Sequence, residues 1–367
     1  MPEILMKGLT KKFGGLTAID SLDLHVKDGE YLTILGPTGA GKTTLLRLIA
    51  GLTAQDSGEI SVNGKPLGSM PPEERQVAFL SQTYSLFPHM DVWKNTVFGP
   101  VARGWEKKKV DVIGREMLEM VHLYERKDAK PGELSGGMQQ RNALARALCA
   151  DAKILLLDEP LRALDARLRL DLRYELRKLV KDMGMTAIHV THDQEEALTI
   201  SDRIIMLKAG KIIQSGTPQE MFNRPVSPFI HHFIGEANFI SGRMTGYNDG
   251  HGILTDELGT AYRTAGSQLE VGSKAVAGIK TEFTVLEKED KQGVNTFSGI
   301  VERKLFLGRF TDFEVILKEG AIVHARLPSS VAHKFGEGDA VFVHYSPERL
   351  IVFPEPEKGL KSELEMV

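Results

Sequence analysis

Two glycine-rich turns about a hundred residues apart, in GPTGAGKTT and in LSGGMQQR, contain the residue types that bind phosphate. The first, GPTGAGKTT, fits the spacing G-x-x-x-x-G-K-[ST] and lies between the apolar run YLTILG and the helical pattern TTLLRLIAGL. In such a loop consecutive backbone N–H groups point at phosphate oxygens, and the N-terminus of the following helix adds positive potential. The residues of this loop are Gly36, Pro37, Thr38, Gly39, Ala40, Gly41, Lys42, Thr43 and Thr44. The sequence predicts a nucleoside triphosphate site, and a glycine turn that merely joins strand to helix is the structural alternative.

Four side chains, two of them in the loop, could act on a bound triphosphate. Lys42 is expected to reach the β- and γ-phosphates, and the Thr43 hydroxyl is expected to hold Mg²⁺. The run KILLLDEP ends in Asp158 and Glu159, two adjacent carboxylates at the end of a predicted strand. Asp158 can face the metal, while Glu159 can polarise a water for attack on the γ-phosphate. Without the phosphate loop upstream, such a pair is more often a solvated turn.

Three more candidates lie at the ends of predicted elements. His192 in HVTHDQEEAL could contact the γ-phosphate or the water, or could simply begin a helix beside Asp193. Gln82 in FLSQTYSLFPHM could ligate Mg²⁺ or its water from a loop that can move. Phe13 in LTKKFGG is a candidate stacking platform for adenine, with an ordinary core or surface aromatic as the alternative.

Residues 1–235 alternate short apolar runs with longer helical ones, which predicts an α/β domain with a largely parallel, helix-covered sheet. YLTILG, KILLLDEP and TAIHVTHD are its predicted buried strands. Ligands of such sheets bind at the carboxyl ends of the strands, and the candidate residues lie at or just after those ends. An inserted helical lobe is predicted at roughly residues 86–129, within a helical subdomain of about 86–157.

Residues 236–367 have a different pattern, with short alternating strands and frequent turn signals. TDFEVILKEGAIVHARL predicts a hairpin with Phe313, Val315 and Leu317 on one face, and the NDG at Asn248 predicts another turn. We therefore expect a second, all-β and barrel-like domain. The tail PEPEKGLKSELEMV is expected to be frayed.

The bulk composition excludes several classes of function. A net charge of -3 over 367 residues gives no field that would draw the whole protein to nucleic acid or anionic lipid. The single cysteine, Cys149, excludes a disulfide framework within the chain and is interpreted as a packed, inert thiol. No apolar run approaches the roughly 18 residues of a membrane span, so any role at a membrane is expected to depend on a partner.

Taken together, GPTGAGKTT, Gln82, LSGGMQQR, ILLLDEP, ALDA and VTHDQEEAL resemble, in order and spacing, the motifs of ATP-binding cassette ATPases. The C-terminal half resembles the paired oligonucleotide-fold regulatory segments of importer ATPases for maltose, polyamines, ferric iron, sulfate and molybdate. The resemblance is strong up to Gly235 and looser beyond it. It implies an α/β P-loop NTPase fold followed by an all-β regulatory domain, and an ATPase that uses ATP and Mg²⁺.

The resemblance also implies a role for the second turn. In these ATPases two subunits of a homodimer face each other head to tail, and the signature turn of one covers the ATP held by the other. Ser135, Gly136 and Gly137 would then offer a hydroxyl and backbone N–H groups to the partner's γ-phosphate. Asp165 in ALDA would communicate between the two sites. ATP joins the subunits, and hydrolysis lets them part.

The implied partners are membrane permease subunits, with an extracytoplasmic solute-binding protein acting indirectly, which places the chain at the cytoplasmic face of the cell membrane. The loop QTYSLFPHM is expected to dock a permease helix through Leu86 and Phe87. FIGEANFISG is most similar to polyamine and ferric-iron importer ATPases. The C-terminal half carries 15 basic against 20 acidic residues, which argues against a nucleic-acid groove.

Two positions depart from the family pattern. Met138 stands where glutamine is common, and Arg162 stands where serine is common. Met138 should leave the phosphate contacts intact, whereas Arg162 is larger and charged and could change contact between sites. The alternatives within the superfamily are a soluble cassette ATPase of translation or DNA repair, or an exporter ATPase. One phosphate loop, no sustained heptad repeat and the appended β domain favour the importer.

Overall fold

The computed structural model describes residues 2–68, 70–150, 152–290 and 293–365. The chain divides into two units, one ending at Met221 and one running from Phe222 to Glu365. The sequence predicts this boundary later, at residue 235. The difference arises because the helix Pro228–Phe233 packs on strand Lys274–Lys280 and buries Phe229, so it belongs to the second unit.

In the described residues, the first unit has ten strands and seven α-helices, with an eighth helix at the division. Its strands are β1 (Ile4–Phe13), β2 (Leu16–Val26), β3 (Tyr31–Leu35), β4 (Ser57–Val62), β5 (Lys65–Pro66), β6 (Val77–Leu80), β7 (Ile154–Asp158), β8 (Thr186–Thr191), β9 (Arg203–Lys208) and β10 (Lys211–Gly216). Its helices are α1 (Lys42–Ala50), α2 (Val92–Thr96), α3 (Phe98–Ala102), α4 (Lys107–Met120), α5 (Gly136–Leu148), α6 (Ala166–Asp182) and α7 (Gln194–Ile200), and α8 (Pro218–Asn223) spans the division.

The central sheet of this unit has the strand order β10-β9-β3-β8-β7-β6. The pairs β9–β3, β3–β8, β8–β7 and β7–β6 are parallel, as the buried apolar runs predict, and β10 is an antiparallel edge strand. Because the parallel strands β3, β8, β7 and β6 are consecutive neighbours in this sheet, the loops that follow them meet at one edge of it.

Alternate residues of the central strands enter different cores. In β7, Ile154 and Leu156 pack with α1, whereas Leu155 and Leu157 pack with α4, α5 and α6. This follows from the two-residue period of a strand, and it means that both faces of the sheet are covered. The end of β7, where Asp158 stands, is therefore held from both sides.

The N-terminal segment differs from the sequence-based expectation. The first two strands form an antiparallel pair joined at Gly14 and Gly15, and they belong to a separate sheet of order β2-β1-β4-β5. The prediction of a parallel sheet is therefore wrong for β1 and β2. Their cross-strand partners lie up to about sixty residues away, as in the pair Ile4–Val62, which a local apolar pattern does not reveal.

The predicted helical subdomain is present but ends earlier than residue 157. Helices α2 to α5 form it, and α5 ends at Leu148. Residues 154–157 are a strand of the central sheet, so the predicted C-terminal limit is wrong. Cys149 follows α5, is buried, and has its thiol pKa raised to about 12 by burial, which supports its interpretation as an inert thiol.

The second unit contains two five-stranded antiparallel sheets that share one core. Its elements are α9 (Pro228–Phe233), β11 (Ala237–Asn248), β12 (His251–Thr255), β13 (Ala261–Thr264), β14 (Lys274–Lys280), β15 (Thr284–Glu287), β16 (Thr296–Phe306), β17 (Phe310–Leu317), β18 (Ile322–Pro328), α10 (Ser329–Ala332), β19 (Ala340–Tyr345), β20 (Ile351–Pro354) and α11 (Leu360–Leu364). The strand orders are β13-β12-β11-β14-β20 and β15-β19-β16-β17-β18. This arrangement confirms the predicted all-β, barrel-like domain.

The predicted hairpin and the predicted NDG turn are both present in this unit. Strands β17 and β18 pair in antiparallel register, and Phe313, Val315 and Leu317 are all buried on one face. Strands β11 and β12 meet at the predicted NDG turn. The tail is more regular than expected, because α11 forms beside α9. No helix in the described ranges is long and apolar enough to cross a membrane.

Candidate functional site

The predicted phosphate loop joins the end of β3 to the start of α1. A Cβ atom added at Gly36 would lie 2.1 Å from the carbonyl oxygen of Leu207, and one at Gly41 would lie 2.3 Å from that of Ala18. Both positions therefore require glycine, because the loop runs against neighbouring backbone. Helix α1 has no side-chain cap among the described residues, so its first N–H groups remain available to an anion.

Lys42 lies inside this loop. Its ammonium group donates to the carbonyl oxygens of Gly36 and Pro37, each at 2.8 Å, and its side chain is buried. Burial lowers the pKa of Lys42, and the charges of Glu159 and Asp158 partly oppose this change. The ammonium group is thus held by the loop that would surround a phosphate.

Thr43 and Asp158 form a hydroxyl–carboxylate pair at the sheet edge. The Thr43 hydroxyl donates to Asp158 Oδ1 at 3.2 Å. Burial raises the pKa of Asp158, and the hydrogen bond from Thr43 partly opposes this effect. Such oxygen ligands fit Mg²⁺, which takes few protein ligands and completes its shell with water and phosphate. The described residues contain no cluster of three or more His, Cys, Asp or Glu that could hold a metal.

Glu159 is the centre of a second cluster. Its Oε1 lies 2.8 Å from His192 Nδ1, and its Oε2 accepts from Arg162 Nη1 at 2.8 Å and from Gln82 Nε2 at 3.3 Å. The φ angle of Glu159 is 51°, a left-handed conformation that non-glycine residues seldom adopt and that often marks a functional site. The structure thus brings together three of the predicted site residues, Glu159, His192 and Gln82, and adds Arg162 to them.

The two adjacent carboxyl groups have opposite pKa shifts. Burial alone would raise the pKa of Glu159, but its hydrogen bonds and charges from His192 and Arg162 lower it overall. The pKa of Asp158 is raised, as described above. Different environments at adjacent positions fit the two different roles predicted for these residues.

Gln82 and the loop after it are more firmly held than the sequence suggests. Arg146 of α5 donates to the carbonyl oxygens of Tyr84 and Ser85, at 2.9 and 3.0 Å. Its guanidinium group also lies 5.2 Å from the centroid of the Phe87 ring. The Asn95 side chain hydrogen-bonds both backbone groups of Phe87. Side chains of α2 and α5 therefore hold the backbone of this loop at Tyr84, Ser85 and Phe87.

The two apolar side chains of this loop are half-buried. Leu86 packs against the core of the helical subdomain, and the Phe87 ring lies 4.5 Å from the ring of Phe98. Phe98 itself is 40% exposed. Phe87 therefore contributes to packing and, with Phe98, still forms part of an apolar surface.

The signature turn begins helix α5. Ser135 is the N-cap of this helix and accepts from the backbone N–H of Met138 at 3.4 Å. A Cβ atom at Gly137 would lie 3.0 Å from the carbonyl oxygen of Ala163, so the turn packs closely against the loop that follows Glu159. In the described residues no hydrogen bond, ion pair or ring contact joins Ser135, Phe13 or Asp165 to the phosphate loop or to Glu159.

Asp165 and Phe13 have local contacts. Asp165 caps α6 by accepting from the backbone N–H of Leu168 at 3.0 Å. The Phe13 ring is 51% exposed and lies 5.2 Å from the ammonium nitrogen of Lys11. An exposed ring leaves a face open to a planar ligand, so the adenine role of Phe13 stays a prediction.

Two side chains of the site were not predicted from the sequence. Gln140 is fully buried, donates to the carbonyl oxygen of Glu159 at 3.0 Å and accepts from the N–H of Ala163, also at 3.0 Å. Arg146 was missed in the same helix. A polar residue among the alanines and leucines of α5 is the available signal, because a buried polar group needs a partner.

Comparison with known families agrees with this geometry. Residues 19–162 match the family described as ABC transporter, and residues 277–353 match the TOBE domain. The first range includes the phosphate loop, Gln82, the signature turn and both carboxylates. The second lies within the β unit.

Curated relatives match nearly the whole chain. The spermidine/putrescine import ATP-binding protein PotA 1 of Pseudomonas aeruginosa is 40% identical over 92% of this chain and 93% of its own. The Fe(3+) ions import ATP-binding protein FbpC of Brucella abortus is 40% identical over 87% of this chain and 89% of its own.

The first unit also resembles a solved structure, the ATP-binding cassette MJ0796 in a dimeric post-hydrolysis state bound to ADP and Pi. The identity is 30% and the TM-score is 0.55, over 59% of this chain and 98% of that one. The relatives, the two domain matches and the site geometry agree. The chain therefore belongs to the ABC transporter family, as an importer ATPase with a C-terminal TOBE domain.

Proposed function

We propose that this ATPase uses Glu159 to orient and deprotonate the attacking water, with His192 holding the carboxylate in place. Lys42 and the loop N–H groups bind the phosphates, and Thr43 and Asp158 hold Mg²⁺, which would screen the charge that develops on the phosphates. The observation that carries the proposal is the contact of Glu159 with His192 at the sheet edge, 2.8 Å apart. Gln82, which donates to Glu159 Oε2 at 3.3 Å, would ligate Mg²⁺ or its water, and Phe13 would stack on adenine.

Glu159→Gln and Lys42→Ala test these roles. Glu159→Gln is expected to keep ATP binding and to lower phosphate release by at least about 100-fold, because the base is lost while the phosphate loop stays whole. Lys42→Ala is expected to weaken nucleotide binding itself. Nucleotide affinity and phosphate release of the purified variants measure both effects. Hydrolysis by Glu159→Gln at the parental rate would overturn the assignment of Glu159.

We also propose that the chain works as a head-to-tail homodimer. Ser135 and the first N–H groups of α5, at Gly136 and Gly137, lie outside the Glu159 cluster of their own chain. A second copy would bring them to the γ-phosphate, and the dimeric state of the cassette MJ0796 supports this arrangement. Asp165, at the start of α6, then communicates between the two sites.

The transported solute is proposed to be a polyamine such as spermidine or putrescine, and ferric iron is the second candidate. The printed names of the relatives, at 40% identity each, support both. The chain would act from the cytoplasmic face, on permease subunits that contact Leu86 and Phe87, and a solute-binding protein would act indirectly. The net charge of the chain supports a role without nucleic acid. The second unit, which contains the TOBE match, is proposed to regulate transport.

Transport assays with the neighbouring permease and solute-binding protein distinguish the two solutes. Labelled spermidine is expected to accumulate in vesicles that contain the parent and to remain outside with Glu159→Gln. Labelled ferric iron serves as the matched alternative. Uptake of iron without uptake of polyamine would overturn the polyamine assignment and support the second candidate.

A further inference from the structure

Both oxygens of the Glu159 carboxylate have nitrogen partners in the same chain. Oε1 lies beside His192, and Oε2 accepts from Arg162 at 2.8 Å and from Gln82 at 3.3 Å. A carboxylate offers about four acceptor positions, so three are already occupied. One acceptor position then remains for the water that Glu159 must orient.

Arg162 can reach Glu159 because of the turn between them. The backbone N–H of Arg162 points to the carbonyl oxygen of Glu159 at 3.4 Å, and Arg169 donates to the carbonyl oxygen of Arg162 at the same distance. The turn places the two side chains three residues apart on one side. A serine at this position, which the family commonly has, is too short to form the same ion pair.

The ion pair between Arg162 and Glu159 is close but partly exposed to solvent. Its distance is 2.8 Å, while the side chain of Arg162 is 58% exposed and that of Glu159 is 13% exposed. An exposed arginine can leave a carboxylate at a small cost in free energy. While it stays, its positive charge and its N–H group hold Oε2 of Glu159.

We propose that Arg162 is a positioning residue that restrains the Glu159 carboxylate and thereby holds down basal ATP hydrolysis until its guanidinium group moves away. The inference rests on the proposed function, in which Glu159 orients the attacking water. Arg162 then limits the hydrolysis rate through Glu159 of its own chain, while the other residues of the site bind phosphate and metal.

Steady-state hydrolysis by the purified full-length protein tests this restraint. Arg162→Ser is expected to raise the basal kcat about two- to fivefold, the range that corresponds to loss of an exposed ion pair, with KM for ATP unchanged. Arg162→Lys, which keeps the charge, is expected to remain near the parent. Arg162→Met keeps a long, flexible side chain but removes the charge and the N–H donors, and it should behave as Arg162→Ser does.

The double variant Arg162→Ser with Glu159→Gln separates this inference from the proposed function. It is expected to hydrolyse ATP no faster than Glu159→Gln alone, because the restraint acts through that carboxylate. If Glu159→Gln is inactive but neither Arg162→Ser nor Arg162→Met is faster than the parent, the restraint is overturned and the catalytic role of Glu159 stands. If Glu159→Gln is as active as the parent, both are overturned.

Discussion

At the scale of single residues, the fully buried side chain of Gln140 connects parts of the site that lie apart in the sequence. It joins α5, which begins at the signature turn, to the backbone on both sides of the turn between Glu159 and Ala163. Because Glu159 has a left-handed backbone conformation, its carboxylate direction depends on contacts of this kind. Gln140 is therefore expected to position the base without touching the nucleotide.

Gln140→Leu is predicted to lower kcat about tenfold or more, since small displacements of a catalytic group are costly. It should also lower the free energy of unfolding by about 1–3 kcal/mol, because two buried backbone groups lose their partner. Urea unfolding and phosphate release measure the two effects. Gln139→Leu is the matched control, because Gln139 contacts Pro131 and Leu134 instead. Equal losses of kcat in both variants would contradict a specific role of Gln140.

At the scale of elements, helix α5 joins the nucleotide site to the apolar surface of the loop. Its N-terminal end carries Ser135, and its last turn carries Arg146, which holds the backbone of Tyr84 and Ser85. Both of these residues have left-handed φ angles, 62° and 44°, so the loop conformation depends on outside support. A shift of α5 would therefore move the loop that is proposed to contact the permease.

Arg146→Ala is predicted to uncouple the loop from the rest of the subunit. Basal hydrolysis should stay within about twofold of the parent, while stimulation of hydrolysis by the permease should be lost, because the loop loses two charge-assisted hydrogen bonds. Hydrolysis with and without reconstituted permease measures this. Arg141→Ala is the control, since Arg141 lies in the same helix and donates to Val121 and His122. Normal stimulation of Arg146→Ala would show that the loop does not transmit the signal.

In the second unit, α9 places a histidine in an apolar environment. His231 is 2% exposed and packs against the rings of Phe239 and Phe353. Burial, with the charges of Lys280 and His232, lowers its pKa to about 3. The folded state therefore resists protonation of His231, whereas the unfolded chain is protonated near the ordinary pKa of about 6.5. Stability from this group is complete above pH 6.5 and is lost as the pH falls toward 3.

The prediction is that the second unit loses about 2–3 kcal/mol of unfolding free energy through His231 between pH 7 and pH 4.5. His231→Leu should reduce this pH dependence, because leucine binds no proton. The free energy of unfolding of the second unit, measured at several pH values in the full-length chain, gives the difference. His232→Leu is the control at the neighbouring position. Parallel pH profiles for the parent and His231→Leu would contradict the prediction.

At the scale of the whole molecule, mixing two defective variants distinguishes a nucleotide site shared between two copies from a site built within one chain. Lys42→Ala removes the ammonium group of the phosphate loop, and Ser135→Arg places a bulky cation at the signature turn. In a mixed head-to-tail dimer one site carries both changes, and the other combines an intact phosphate loop with an intact signature turn. A site built within one chain would be defective in every subunit of the mixture.

Mixing the two inactive variants is therefore predicted to restore ATP-dependent closure, and up to about half of the parental hydrolysis, in verified mixed dimers with permease. Closure is measured as well as hydrolysis because hydrolysis could require both sites. Each variant alone serves as the control. A mixture that neither closes nor hydrolyses ATP would count against the shared site.

The sequence by itself determined the phosphate loop, the strand that ends in Asp158 and Glu159, and the all-β character of the second unit. These features are local. Glycine is required where the backbone approaches another segment closely, and a buried strand is an uninterrupted apolar run, so each can be recognised within about ten residues. The hairpin of β17 and β18 was predictable for the same reason, since its turn and its two-residue period are adjacent in the chain.

Only the tertiary structure decided which side chains meet. Gln82 and Glu159 are 77 residues apart, and Arg146 and Tyr84 are 62 apart, yet both pairs are in contact. The ion pair of Arg162 with Glu159 is close in sequence, but it depends on a left-handed turn that the residue types do not specify. Side-chain contacts of this kind follow from the strand order of the sheet and from the packing of α5 on it. They arise from the folded arrangement as a whole, which no local pattern contains.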